Sequence, residues 1–267
     1  MISKNKIKLI KSLTHKKMRI KEQLFLVEGD KIVQEVINST IRIKELFATD
    51  TFLSASKSTL LTSKANAEKT AVNVTTVTRE EIKKASLQKQ PQNSLAICEL
   101  PSPEKLPEKL NGISLYLDEI QDPGNLGTII RTCDWFGVEF LFCSPDTADV
   151  FNPKVIQASM GSFCRVKTAY TSFDKLAELA RESQIPVYGT FLEGQNLFTE
   201  KLPSQALIVL GNEGRGIRQP IAEKTAFKIS IPSFGAGNKQ AESLNVAVAT
   251  GIICSRFIRQ DVLLEME

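Results

Sequence analysis

The feature that most limits what this chain can become lies in residues 206–253. Two apolar strand-like runs, 206–210 and 227–231, each empty into a loop of glycine and small polar residues. The first loop is Gly211, Asn212, Glu213, Gly214, Arg215 and Gly216; the second is Pro232, Ser233, Phe234 and Gly235. Strands buried on both faces of a parallel sheet read as apolar runs, and in open α/β sheets ligands sit beyond the carboxyl ends of such strands. Glu242, Ser243, Leu244 and Asn245 then open an apolar segment of helical character, whose first amides point toward the same crevice. An α/β protein with three backbone-rich corners around one site is the expectation. One glycine-rich loop is more often plain turn chemistry; two in tandem before a helix start weigh toward a ligand. The spacing of Gly211, Gly214 and Gly216 is not the dinucleotide fingerprint, and no nucleotide-triphosphate P-loop occurs, which disfavours both ligands.

The rest of the chain alternates in the same way. Residues 2–13 carry a partial helical face among lysines, 24–27 a short strand, 30–37 a helix and 43–48 a strand. Residues 72–77 contain several β-branched side chains, and Thr78 with Glu81 forms a capping box that opens a helix toward Ala85. Residues 1–92 are therefore expected to form a small α/β domain. A proline-rich polar stretch with one apolar run at 95–100 reads as a linker over 93–110. Residues 111–267 form the larger domain, with further strands expected at 113–117, 139–143, 164–168 and 186–190. Helices are expected at about 126–136, from Asn152 as a cap with Pro153 in first position, and at 172–181. Six strands with helical crossovers predict a mostly parallel sheet.

Composition excludes several chemistries. The single histidine, His15, cannot build a histidine triad or a multi-histidine metal site, and no metal is expected. Five cysteines without a C-x-x-C pair read as reduced core residues. No apolar run reaches membrane-spanning length, and the first residues alternate lysine with isoleucine and leucine, so a cytoplasmic protein without membrane attachment is expected. Net charge is only +4, yet residues 1–21 carry Lys4, Lys6, Lys8, Lys11, Lys16, Lys17, Arg19 and Lys21 with no acid before Glu22. That is either a solvated surface or the footprint of a nucleic-acid binder, and composition alone leaves both open.

Three segments then carry a resemblance: LDEIQDPGNLGTIIRT over 117–132, LGNEGRGI over 210–217, and ISIPSFG followed by ESLNVAVA over 229–249. In order and spacing they resemble the three signature motifs of the SpoU (TrmH-type) RNA 2′-O-ribose methyltransferases of the SPOUT superfamily. NPKVIQASMG over 152–161 resembles the intervening helix of that family, and LTHKKMRIKEQLFLVEG over 13–29 its ribosomal-protein-like substrate-binding domain. The resemblance implies a C-terminal SPOUT-type α/β domain with a deep trefoil knot, a homodimer, and bound S-adenosyl-L-methionine. It implies Gly211, Ile231 and Leu244 as cofactor contacts, with Gly216 and Thr190 beside them. Arg131 matches the catalytic arginine, with Asn125, Glu213, Ser243 and Asn245 around it. A guanidinium with a pKa above about 12 is a poor proton acceptor, so Arg131 either acts as base or holds phosphate and developing charge. Lys16, Lys17 and Arg19 are the expected RNA contacts, with rRNA placed ahead of tRNA. Two departures stand out: a longer link between Gly235 and Glu242, and Gln157 where many relatives carry arginine. The alternatives are a non-catalytic RNA-binding or ribosome-assembly factor on the same fold, and a base methyltransferase of the same superfamily.

Overall fold

The computed structural model describes residues 1–56, 72–234 and 242–264. The chain divides into two compact units, residues 1–102 with 149–165, and residues 103–148 with 166–267.

In the first unit the strands are β1 (Leu24–Glu28), β2 (Ile43–Ala48), β3 (Asn73–Thr76) and β4 (Ser94–Glu99). Their order is β1-β4-β2-β3, with β4 antiparallel to both neighbours and β2 parallel to β3. The helices are α1 (Lys4–Ser12), α2 (Lys16–Glu22), α3 (Asp30–Ile37), α4 (Asp50–Ala55), α5 (Arg79–Ala85) and, by its place in the chain, α7 (Pro153–Ser159). Ser3 caps α1 by accepting from the Lys6 amide, and Ile10 and Leu13 bury against Leu26, Phe47, Ile82 and Leu95. The capping box of Thr78 and Glu81 is formed in full at the start of α5. One expectation is corrected here. The run at 95–100 is not linker: Ser94–Glu99 pairs on both sides, and Leu95, Ala96, Ile97 and Cys98 are wholly buried. The prolines that suggested a linker flank this strand on either side, so the break in the chain falls near residue 102 rather than 92. Residues 149–165, read as part of the larger domain, also belong to the first unit. The Phe151 ring packs tilted against Phe25 with ring centres 4.7 Å apart, and Gln157 Nε2 donates to the Glu28 carbonyl at 2.6 Å. Gln157 is thus engaged with β1.

The second unit is built on β5 (Ile113–Leu117), β6 (Phe140–Cys143), β7 (Lys167–Tyr170), β8 (Val187–Asn196), β9 (Ala206–Leu210) and β10 (Phe227–Ser230). The sheet runs β10-β8-β9-β5-β6-β7 with every neighbouring pair parallel. β9 is buried along its whole length, which is why it is apolar at every position. The helices are α6 (Pro123–Phe136), α8 (Phe173–Glu182), α9 (Gln219–Ala222) and α10 (Val246–Leu264), and α6 packs against α10. Tyr116, Phe142, Phe173, Leu176, Leu207 and Val209 fill the core on one side of the sheet. The strand expected at 164–168 is displaced. Met160 and Gly161 take positive φ (52° and 97°), Ser162–Cys164 form a 3-10 turn, and pairing with β6 begins only at Lys167.

Candidate active site at the ends of the central strands

β5 and β9 are neighbours, and the connections leaving them run to opposite sides of the sheet. That is the switch point at which an open α/β sheet leaves a crevice beyond its strand ends. The residues that follow β5 and β9 face each other there and are clamped together. Asp118, directly after β5, is 0% exposed and accepts from the Arg218 amide at 2.8 Å and from Arg218 Nε at 2.7 Å. That hydrogen bond raises the Arg218 pKa. Glu119 takes φ 63°, a left-handed conformation that costs a non-glycine residue and holds its carbonyl toward the 211–216 loop. The carbonyl accepts from Asn212 Nδ2 at 2.8 Å, while the Glu119 carboxylate accepts from Arg215 at 2.9 Å. Asn212 Oδ1 in turn takes the amides of Gly214 and Arg215. Asp118, Glu119, Asn212 and Arg218 escaped the sequence reading as functional residues. A charged residue immediately after an apolar strand was the available signal.

Within this loop Gly211 is indispensable for steric reasons. A Cβ there would lie 2.2 Å from the Gly216 carbonyl carbon and 2.3 Å from the Ile217 nitrogen. Gly216 has φ 70°, and Asn212 and Gly216 pair backbone to backbone to close the turn.

The three motif segments meet through one hydrogen-bonded line. Asn125 Nδ2 donates to Glu213 Oε1 at 2.9 Å, and Asn245 Nδ2 donates to Asn125 Oδ1, also at 2.9 Å. Asn125 is free for this because Asp122, not Asn125, caps α6, accepting from the Asn125 amide at 2.8 Å. The helix accordingly starts at Pro123, three residues before the expected position. Asn245 Oδ1 accepts from the amides of Ala247 and Val248 and so caps α10 while its nitrogen holds Asn125.

A cavity of about 730 Å³ opens beside this line. Gly211, Gly216, Thr190, Ile231 and Leu244, the five expected cofactor contacts, all line it, as do Glu213 and Ser243. Apolar walls come from Leu210, Ile217, Ile229 and Ile253, and charges of both signs from Glu193, Glu242, Arg215 and Lys228. Thr190 donates to the Val209 carbonyl at 3.0 Å. Gly235 lies outside the described residues, as does the whole of the longer link that precedes Glu242. An apolar slot edged by backbone groups and by both charge signs fits a ligand with a flat heterocycle and a zwitterionic tail.

Arg131 is not drawn to this cavity, and Asn125 and Asn245 stand beside it without lining it. Arg131 stands exposed on α6 and makes no hydrogen bond or ion pair with any described residue; it does not line the cavity. Arg19 is a correction: it is 2% exposed, paired with Asp149, and donates to the carbonyls of Leu13 and Thr14. Its five donors suit a buried site with several acceptors, and that use removes it from any RNA surface. Lys16 and Lys17 remain exposed, whereas Lys6 is tied to Glu45 at 2.5 Å.

Comparison with known proteins agrees with this geometry. Residues 112–255 match the SpoU rRNA Methylase family, and residues 4–96 match the MRM3-like substrate binding domain. The 23S rRNA (guanosine(2553)-2′-O)-methyltransferase RlmP of Bacillus subtilis is 32% identical over 93% of this chain and 94% of its own length. The 23S rRNA (guanosine-2′-O-)-methyltransferase RlmB of Neisseria meningitidis is 37% identical, over 56% of this chain and 59% of that protein. Among solved structures, a TrmH-family protein from Porphyromonas gingivalis shares 40% identity with a TM-score of 0.81, covering 97% of this chain and 99% of its own. An AdoMet-bound rRNA methyltransferase from Sinorhizobium meliloti gives 0.82 at 27% identity, covering 97% of each chain. The chain belongs to the SpoU rRNA methylase family.

Proposed function

We propose that this protein transfers a methyl group from S-adenosyl-L-methionine to a ribose 2′-hydroxyl of RNA, with rRNA as the substrate class. The observation that carries the reading is the hydrogen-bonded line from Glu213 through Asn125 to Asn245 beside the cavity, because it joins all three motif segments at one switch point. The names of the relatives support the substrate class.

The residues fit the cofactor. The backbone of the 211–217 loop, Ile231 and Leu244 would hold it, and when bound it supplies an electrophilic methyl on a sulfonium. The protein's own task is to place the hydroxyl, assist loss of its proton and leave the line of attack open. Glu213 Oε1 fixes the Asn125 amide, which leaves one side of the carboxylate available to a ligand amine or hydroxyl. Arg131, with no partner of its own among the described residues, is a fixed positive charge for phosphate or for the developing alkoxide.

The working unit is a homodimer. Trp135 on α6 is 85% exposed and Val248 on α10 is 54% exposed, and these helices pack together. Large apolar side chains left in open solvent on two packed helices mark a surface that a partner covers. Arg131 stands one helical turn before Trp135 and shares that face. Lys16, Lys17 and the other exposed lysines of α1 and α2 hold RNA through its phosphates. Calorimetric titration with S-adenosyl-L-methionine tests the reading: one site per chain is expected, and absence of binding would favour a non-catalytic RNA-binding factor.

A further inference from the structure

The first unit holds a cavity of its own, about 440 Å³, to which methyl transfer assigns no role. Leu26 and Glu28 of β1 line it together with Leu87, Gln88 and, from α7, Lys154 and Gln157. The polar groups here are already committed, with two exceptions. Glu28, 6% exposed, accepts from the Ser86 hydroxyl and from the Leu87 amide at 3.1 Å. Burial holds its carboxyl above the ordinary range, against the pull of those two hydrogen bonds. Gln157 donates to the Glu28 carbonyl. The Gln88 amide donates to Ser86 Oγ at 2.9 Å, which fixes the loop.

The exceptions are both donors. Gln88 Nε2 is buried and has no hydrogen-bond partner. Leaving such a donor unsatisfied is a cost to folding that a leucine of similar size would avoid. Lys154 is exposed, and its ammonium has no partner among the described residues. Apolar walls, an unspent buried donor and an unpaired cation select a flat ligand that carries acceptors and an adjacent negative charge. In RNA that combination is an unstacked base with its phosphate, since single-stranded bases are read on their edges and held against apolar side chains.

We propose that this cavity receives one unpaired nucleobase of the RNA, Gln88 Nε2 donating to a ring carbonyl or ring nitrogen and Lys154 meeting the adjoining phosphate. The inference rests on the reading that the protein acts on RNA. It places a base-recognising contact in a domain whose other RNA contacts are backbone charges.

The test uses the full chain labelled with nitrogen-15, in which the Gln88 side-chain amide is identified by its loss in Gln88→Leu. Titration with the four nucleoside monophosphates at millimolar concentration should shift that amide saturably with at least one of them. Ribose 5-phosphate, which has the charge and no base, should leave it unmoved. Gln88→Leu should bind a pool of short single-stranded oligoribonucleotides about three- to tenfold more weakly. Its thermal midpoint should equal or exceed that of the parent, since the unsatisfied donor is gone, and its calorimetric affinity for S-adenosyl-L-methionine should equal the parent's. An amide silent to all four mononucleotides, or moved equally by ribose 5-phosphate, would overturn the proposal, as would unchanged oligoribonucleotide affinity. Loss of S-adenosyl-L-methionine binding in the parent would count against the methyltransferase reading instead, so the two failures are distinguishable.

Discussion

At the scale of single residues, two arginines that the sequence marks as functional have opposite fates. Arg131 is exposed and unpartnered among the described residues, so it costs the fold nothing to remove. Arg131→Ala should lower methyl transfer about 10² to 10³-fold, the usual loss for a positioned charge-stabilising donor, with thermal stability and cofactor binding unchanged. Wild-type turnover in that variant would remove Arg131 from the chemistry. Arg19 is sealed against Asp149 and two carbonyls, and Arg19→Ala leaves the carboxylate half of a buried pair behind. Its cost should be about 3 to 5 kcal/mol by denaturant titration, whereas Lys16→Ala with Lys17→Ala should stay within about 0.5 kcal/mol. The lysine pair should instead reduce the dependence of RNA affinity on salt, by a slope of about one or two. An equal loss of stability in both variants would contradict the assignment. Sequence reading grouped Arg19 with the lysines because charge is visible along the chain while an acceptor 130 residues away is not. The same limit hid the pairing of Asp118 with Arg218, 100 residues apart.

At the scale of elements, the sequence was most legible where a local signal and the tertiary role coincide. Thr78 with Glu81, Asn152 with Pro153, and the wholly apolar 206–210 run all mark elements found where their chemistry places them. Misreadings came where a local signal had a non-local owner. Asn125 resembles a helix cap, but Asp122 takes the cap and releases the Asn125 side chain to Glu213 and Asn245. The 95–100 run looked isolated among prolines, although it is the strand on which β1 and β2 both depend. The 211–217 loop permits a sharp contrast between two glycines. Gly211→Ala drives a Cβ into backbone at 2.2 Å, so the loop must open. At Gly214 the nearest atom to a new Cβ is a side-chain oxygen at 3.7 Å, an ordinary contact. Affinity for S-adenosyl-L-methionine should fall at least tenfold, about 1.4 kcal/mol, for Gly211→Ala and stay near that of the parent for Gly214→Ala. Equal affinities for the two variants, measured by calorimetry, would mean that this loop does not hold the cofactor.

At the scale of the whole molecule, the open questions concern a covered surface and a chemical product. An 85% exposed tryptophan and an exposed valine on two packed helices make a poor surface for a monomer, and stable interfaces bury about 800 Å² on each side. Light scattering at micromolar concentration should give the mass of a dimer, and Trp135→Glu should shift it toward the monomer. A monomeric parent protein would contradict the dimer. Family and fold were legible from three motif segments because their residues converge on one crevice; the identity of the RNA was not, because phosphate-binding lysines carry no base sequence. Where the methyl group goes is the most direct readout of the proposed chemistry. Purified protein, S-adenosyl-L-methionine with a labelled methyl, and rRNA from cells lacking the protein should yield one labelled nucleoside on complete digestion. Mass spectrometry of that nucleoside should place the label on the ribose 2′-oxygen, accumulating about 10² to 10³-fold more slowly with Arg131→Ala; label on a base, or no transfer to RNA at all, would contradict ribose methylation by this protein.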